Sequence, residues 1–331
     1  MTAPLRRGLP AIVICFLAMA VAVLAAPFVG STPINFGRVF GASVPFADNP
    51  DAQIFFIARL PRALAAALVG GTLAAAGVVF QGLLRNPLAT PYTLGVSAGA
   101  SLGAMVAITF GATWAIGGVA TASLAGAFFA VAIVYALATA RHRGLSTTVL
   151  LLAGVTLNAF FSALILFVQY LSDFAQTFRA LRWLMGDLDV ASYTPILAAL
   201  PLVGLSFLAF AWLARPLNLL SIGADAASTR GVHVIGAQRL AFFSASLATG
   251  AAVSVGGPIG FVGIIVPHLV RLMVGADHRL VLPASTFFGA AFLVACDAIA
   301  RTVLAPVELP VGIVTAVIGG PFFLWLLITR R

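Results

Sequence analysis

Ten runs of apolar residues, each close to the length of a membrane crossing, leave this chain few ways to fold. A helix needs about 20 apolar residues to traverse the hydrocarbon core of a bilayer. Runs of that kind lie roughly at 9–29, 63–84, 93–112, 114–139, 147–170, 193–213, 239–257, 259–275, 281–304 and 311–329. They are continuous rather than alternating, so they read as helices and not as the strands of a membrane barrel. The chain is 62% hydrophobic and only 8% charged, which a soluble domain of 331 residues could not hide in its interior. An all-α polytopic membrane protein of about ten transmembrane helices, folded as one domain over 1–331, is expected. The least regular stretch is 239–275, where SVGGPIGFVGIIVP reads as a turn or as a broken helix. The first run has the basic-then-apolar layout of a cleaved leader. It is long enough to span, however, and Pro27 follows its small residues where cleavage would fall, so a retained first helix is expected.

Arginine placement sets the orientation. With the N-terminus inside, Arg6, Arg7, Arg85, Arg141, Arg143, Arg215, Arg230, Arg239, Arg271, Arg279, Arg330 and Arg331 fall on the inner side. Arg38, Arg59, Arg62, Arg179, Arg182 and Arg301 fall outside. Both termini are therefore expected in the cytoplasm. The net charge of +9 is spread over short loops, which argues against nucleic-acid binding and for attraction to anionic lipid or an acidic partner.

Every one of the 18 basic residues is arginine. Without lysine there is no Walker A motif and no Schiff base, so ATP hydrolysis, if it drives this chain, belongs to another subunit. Cys15 and Cys296 lie inside apolar runs with no metal or disulfide spacing, and they read as packing residues. His142, His233, His268 and His278 fall at or beyond inner helix ends. No proton relay of intramembrane carboxylates or histidines stands out, which weakens the alternative of an ion- or proton-coupled carrier. No H-E-x-x-H pattern or acid–base constellation points to an intramembrane hydrolase.

Gly95, Gly99 and Gly103 repeat every fourth residue, and Gly70, Ala74 and Val78 follow the same register, so close helix packing is expected there. The string from Arg62 loosely resembles the string from Arg239, which would run in the opposite direction, as in an inverted repeat. Asp297 and Arg301, four apart on one helix, have the spacing of an ion pair.

Two loops are long. The inner one, 215–238, opens on Arg215-Pro216, read as a helix stop, and contains a short helix in GADAASTRGV, either a connector or a docking element. The outer one, 171–192, places Phe174, Phe178, Leu181 and Met185 on one helix face and Arg179 and Arg182 on another, with Trp183 suited to an interfacial anchor. It reads as an interfacial helix or as a lip offering arginines to an anionic substrate. The string RLPR puts Arg59 and Arg62 around Pro61 at a helix entrance, where a missing N–H costs nothing and both arginines could project outward.

Read together, RLPRALAAALVGG, VFQGLLRNPLATPYTLGVSAGASLG, LSTTVLLLAGV, RWLMGDL, GPIGFVGIIVPHLVRLMVGADHR and ELPVGIVTAVIGGPFFLWLL resemble the FecCD family over nearly the whole chain. These are permease subunits of ABC importers for iron–siderophore complexes, haem and cobalamin. The resemblance implies a type II importer permease in the inner membrane, a homodimer of ten-helix subunits served by two ATPase subunits and a periplasmic binding protein. It implies no cofactor or metal bound by this chain, with ATP-Mg on the partner. It further implies ATPase coupling through Gly223, Asp225, Arg230 and Gly231, a cytoplasmic gate at Ser146, Thr147 and Thr148, and binding-protein docking at Arg59, Arg62 and Arg301. Haem is the cargo that best suits Arg179 and Arg182 beside Phe174, Phe178 and Met185, since it carries propionates on an apolar macrocycle. Ferric siderophores and cobalamin are the alternatives.

Overall fold

A computed structural model describes residues 3–41, 44–111, 118–140, 145–190 and 192–329. Arg141, His142, Arg143, Arg330 and Arg331 lie outside the described residues, as do the side chains of Arg6 and Arg7. Among the described residues the chain is helical and has no strand. The helices are α1 (Ala3–Ala25), α2 (Phe36–Phe40), α3 (Pro50–Gln53), α4 (Leu60–Leu84), α5 (Val96–Phe110), α6 (Gly118–Thr139), α7 (Thr147–Tyr170), α8 (Phe174–Leu184), α9 (Thr194–Leu220), α10 (Ala224–Ser228), α11 (Val234–Gly256), α12 (Val262–Val274), α13 (His278–Thr302) and α14 (Val311–Thr329).

Ten of these coincide with the ten expected runs. Seven stretches are long and apolar enough to cross a membrane: 8–28, 50–84, 118–139, 147–170, 194–220, 234–256 and 278–302. Val96–Phe110, Val262–Val274 and Val311–Trp325 are shorter apolar helices. The doubtful stretch at 239–275 resolves as two helices, α11 beginning earlier than expected, at Val234. They are separated by residues 257–261, with Gly257 (φ 66°) and Phe261 (φ 67°) in the left-handed region. Alternation along the chain gives the bundle two ends. α2, α3 and α8 lie at one, the α8 end; the start of α1, α10 and the finish of α14 lie at the other, the α10 end.

α4 is the pillar of the bundle, in contact with α9, α11, α12 and α13. Of its most apolar window, 83% is buried, against 11% for α1 on the periphery. Lipid tails are as apolar as the side chains, so helices in a bilayer associate through close packing rather than through escape from water. Small residues make that packing possible here. A Cβ at Gly70 would overlap the carbonyl oxygen of Gly289 on α13, and one at Gly77 would overlap that of Gly263 on α12. The expected contact of the other small-residue series also forms: a Cβ at Gly99 would stand 2.5 Å from Gly126 O and from Ala130 Cβ on α6. Gly95 departs from that series. It caps α5 with φ 80° and faces Gly154 and Leu157 of α7. The two strings resembling an inverted repeat occupy α4 and α11, which are neighbours. Cys15 and Cys296 are buried and free.

Two proline expectations fail. Pro61 does not open a helix: residues 50–84 run as one helical stretch, and a π-helical turn, Ile54–Arg59, precedes the proline. Proline removes an N–H and crowds the preceding turn, and a wider turn accommodates both. Arg215-Pro216 does not stop α9, which continues to Leu220 because Leu217 and Leu220 are buried in the core. One lost bond near a helix end is outweighed by that burial.

The close contacts on α4 give the first prediction. Gly70→Val and Gly77→Val each press a side chain against backbone and should cost about 1–3 kcal/mol, seen as a lower thermal midpoint of the purified protein. Gly204→Ala on α9, where a Cβ meets nothing within 4 Å, should leave the midpoint unchanged or raise it.

Candidate functional site: an arginine-lined mouth

At the α8 end a cavity of about 700 Å³ opens, lined by Arg59, Arg62, Arg182 and Arg301 together with Asp189 and Glu308. Phe178 and Met185 complete its α8 wall. Two sets of residues that are separate in the sequence reading thus share one space.

The arginines expected to project outward do not. Arg59, Arg62 and Arg301 are only 6%, 7% and 2% exposed. Arg62 donates through Nε to Asp297 Oδ1 at 2.8 Å and through Nη1 to Glu308 Oε2 at 2.6 Å. Arg301 completes the expected pair with Asp297, Nε to Oδ2 at 3.0 Å, one helical turn away. Asp297 is fully buried between the two guanidiniums. Burying an isolated carboxylate is costly, and so is burying an isolated arginine; opposite charges in contact offset each other. Arg301 and Arg59 also donate to backbone. Arg301 Nη1 and Nη2 reach the carbonyls of Val29 and Ala26 at 3.1 and 3.3 Å. Arg59 Nη1 reaches Pro27 O at 3.3 Å, and its Nη2 bonds Thr32 O. The segment after α1 is clamped by guanidiniums on both sides.

α8 forms a ridge between two cavities. Asp173 caps it in a reciprocal box with Gln176, and Gln176 also donates to Thr109 O at 3.0 Å. Glycines seat its far end: a Cβ at Gly257 or Gly312 would overlap the carbonyl of Trp183 or Met185. Trp183 accordingly packs against the protein core rather than standing free as an interfacial anchor. Phe178, Arg182 and Met185 face the mouth, while Leu181 and Leu184 face the other cavity. Phe174 is 90% exposed, and neither it nor Arg179 lines the mouth, so Arg179 and Arg182 do not share that space. Arg182 is answered by Asp187 at 3.2 Å and Asp189 at 3.6 Å.

The second cavity, about 580 Å³, lies between α5 and α7. Its wall includes Ser97, Ser101, Asn158, Ser162 and Gln169. Asn158, Ser162 and Gln169 fall on one stripe of α7, and Asn158 donates to Tyr92 O at 2.6 Å. The sequence reading missed these residues. The signal was present, since three amide or hydroxyl side chains at helical spacing in a spanning run rarely face lipid.

At the α10 end Ser146 caps α7, accepting from Val149 N at 3.4 Å; Thr147 is half-buried and Thr148 exposed. α10 is anchored by the buried Ala227, and Asp225 and Arg230 are exposed. Gly223 (φ 142°) and Gly231 (φ 82°) make the turns on either side, in conformations that other residues rarely adopt. Among the described residues, no group of three or more His, Cys, Asp or Glu side chains could hold a metal ion.

The bundle of spanning helices thus carries a charged mouth at one end, a polar-walled cavity between α5 and α7, and a short surface helix at the other end. The chain belongs to the FecCD transport family, matching it over residues 17–329. It is 44% identical to the cobalamin import system permease protein BtuC of Halobacterium salinarum, over 88% of this chain and 78% of that one. It is 36% identical to the hemin transport system permease protein HmuU of Yersinia pestis, over 98% of both. A solved structure, assigned to the metal-chelate type of ABC transporter in an inward-facing conformation, superposes with a TM-score of 0.83 at 31% identity, covering 97% of this chain and 99% of that one. The protein is therefore an ABC importer permease of the inner membrane.

The clamp gives the second prediction. Arg301→Met should raise amide hydrogen exchange across residues 26–32 by an order of magnitude or more, as expected when about 1.4 kcal/mol or more of local stability is lost. Arg182→Ala should leave that segment unchanged.

Proposed function

We propose that two copies of this chain form the translocation pathway of an importer. Two ATPase subunits drive it, and a periplasmic binding protein delivers an iron chelate, haem in the first place, for passage to the cytoplasm by alternating access. The observation that carries the pathway is the polar stripe of α7. In its most apolar window only 28% of that helix is buried. Asn158, Ser162 and Gln169 on such a helix call for a watery path or a second subunit rather than lipid. The excess of arginine near the α10 end supports placing that end in the cytoplasm. There α10 is the proposed coupling element, with Asp225 and Arg230 as its exposed contacts and the flanking Gly223 and Gly231 fixing its angle. Ser146, Thr147 and Thr148 form the proposed inner gate.

The α8 end is the proposed docking face. Arg59, Arg62 and Arg301 act there through the shape and field of the rim they hold, since their side chains are engaged within the protein. For the cargo, haem is the reading that rests on Arg182 beside Phe178 and Met185 at the mouth, where a propionate would compete with Asp187 and Asp189 for the guanidinium. Cobalamin is the second reading, favoured by the 44% identical relative named for it.

Reconstitution with the ATPase and the binding protein in liposomes tests this. Haem should enter only when ATP is available to the ATPase, and Arg182→Ala should reduce uptake several-fold. Uptake of cobalamin alone would move the cargo to the second reading. Uptake by this chain without ATP would replace the ABC mechanism with that of a secondary carrier.

A further inference from the structure

At the α10 end, α9 and α13 part and leave a cleft of about 340 Å³. Its α9 wall is Phe207, Phe210, Ala211 and Ala214, one helix face; its α13 wall includes Leu282 and Pro283. The two alanines are too small to fill the gap. Both walls are spanning helices, so an apolar space open between them meets lipid rather than water.

One end of the cleft is charged. His278 and Arg279, at the first turn of α13, line it there. Asp277 binds Arg279, with Nη2 to Oδ2 at 2.7 Å and Nε 3.1 Å from both carboxylate oxygens. Asn218 donates to the same Asp277 at 2.7 Å and ties α9 to α13. Hydrogen bonds from Arg279 hold the Asp277 carboxyl down to about 2, against the opposing effect of partial burial and with help from Asn218. The pair therefore stays ionised at any ordinary pH. Arg279 Nη1 makes no hydrogen bond among the described residues, and the Arg279 side chain is 32% exposed.

Two further observations set the depth and the sign. Trp212, next to Ala211, is 61% exposed, and Arg215, three residues on, is exposed as well. An outward tryptophan followed by an arginine marks the headgroup level of a bilayer. Asp277 is paired with Arg279, Arg271 lies close enough to act on His278, and Arg215 stands one turn before Asn218 on α9, so arginine outnumbers acid around this end of the cleft.

We propose that the cleft between α9 and α13 holds one acyl chain of an anionic phospholipid whose phosphate accepts a hydrogen bond from Arg279 Nη1. The chain lies along Phe207, Phe210 and Leu282, in the space left by Ala211 and Ala214. The headgroup sits at the level of Trp212 and Arg215. A zwitterionic lipid would fit the apolar part equally but would not answer the excess positive charge.

Native mass spectrometry of the detergent-purified permease, in complex with its ATPase subunits, tests this with phosphatidylglycerol and phosphatidylcholine as probes. The wild type should retain phosphatidylglycerol, about one per chain, at least several-fold more strongly than phosphatidylcholine. Ala211→Trp, which fills the cleft from an exposed position, should abolish that retention. Arg279→Gln should still hold lipid but lose the preference. Equal retention of the two lipids by the wild type would overturn the headgroup assignment. Unchanged retention in Ala211→Trp, or no retained lipid at all, would overturn the site.

Discussion

The contact between Arg62 and the fully buried Asp297 joins residues 235 positions apart in sequence at the α8 end. Much of that end depends on it. Asp297 is shared with Arg301, and Arg62 is shared with Glu308, so the knot links α4, α13 and the connection into α14. A buried carboxylate between two guanidiniums is stable only while all members are present, since removing one strands the others without water. Arg301 and Arg59 then carry the same positive charge to the backbone carbonyls at 26–32 and fix the rim of the mouth.

What the knot does at one end, backbone contact does along the rest of α4. Glycines at 70 and 77 bring this helix against α13 and α12 closely enough to exclude a methyl group. A pillar packed this closely against its neighbours has little freedom to bend. α7 is poorly covered and polar along one stripe, and α8 stands between two cavities with its C-terminal turn seated on Gly257 and Gly312.

The spans were legible in the sequence because a bilayer imposes a length and penalises charge, and both are written in single runs. The Asp297–Arg301 pair was legible for a similar reason, being local to one helix. Arg62 was not, because its partners are remote and a single chain carries no record of which helices meet. Its entrance position suggested exposure, whereas the π-helical turn before Pro61 continues the helix and Arg62 ends up inside. Pro216 misled in the same way: local rules say stop, and the burial of Leu217 and Leu220 overrules them. Arg179 and Arg182 are three apart on α8, yet only Arg182 reaches the mouth, so helical spacing alone did not fix the site. Asn158, Ser162 and Gln169 were readable by periodicity but were masked by the apolar residues between them.

The central claim is that the arginines of the α8 end are engaged within the protein as a buried electrostatic knot. A double-mutant cycle with Arg62→Met and Asp297→Leu, read as thermal stability of the purified protein, tests it most directly. Each single substitution should cost about 3–5 kcal/mol by stranding a buried charge. The double variant should cost clearly less than the sum, with a coupling near the upper end of about 0.5–3 kcal/mol. Additive effects, or single substitutions with no measurable cost, would contradict the account and return Arg62 to a freely projecting surface residue.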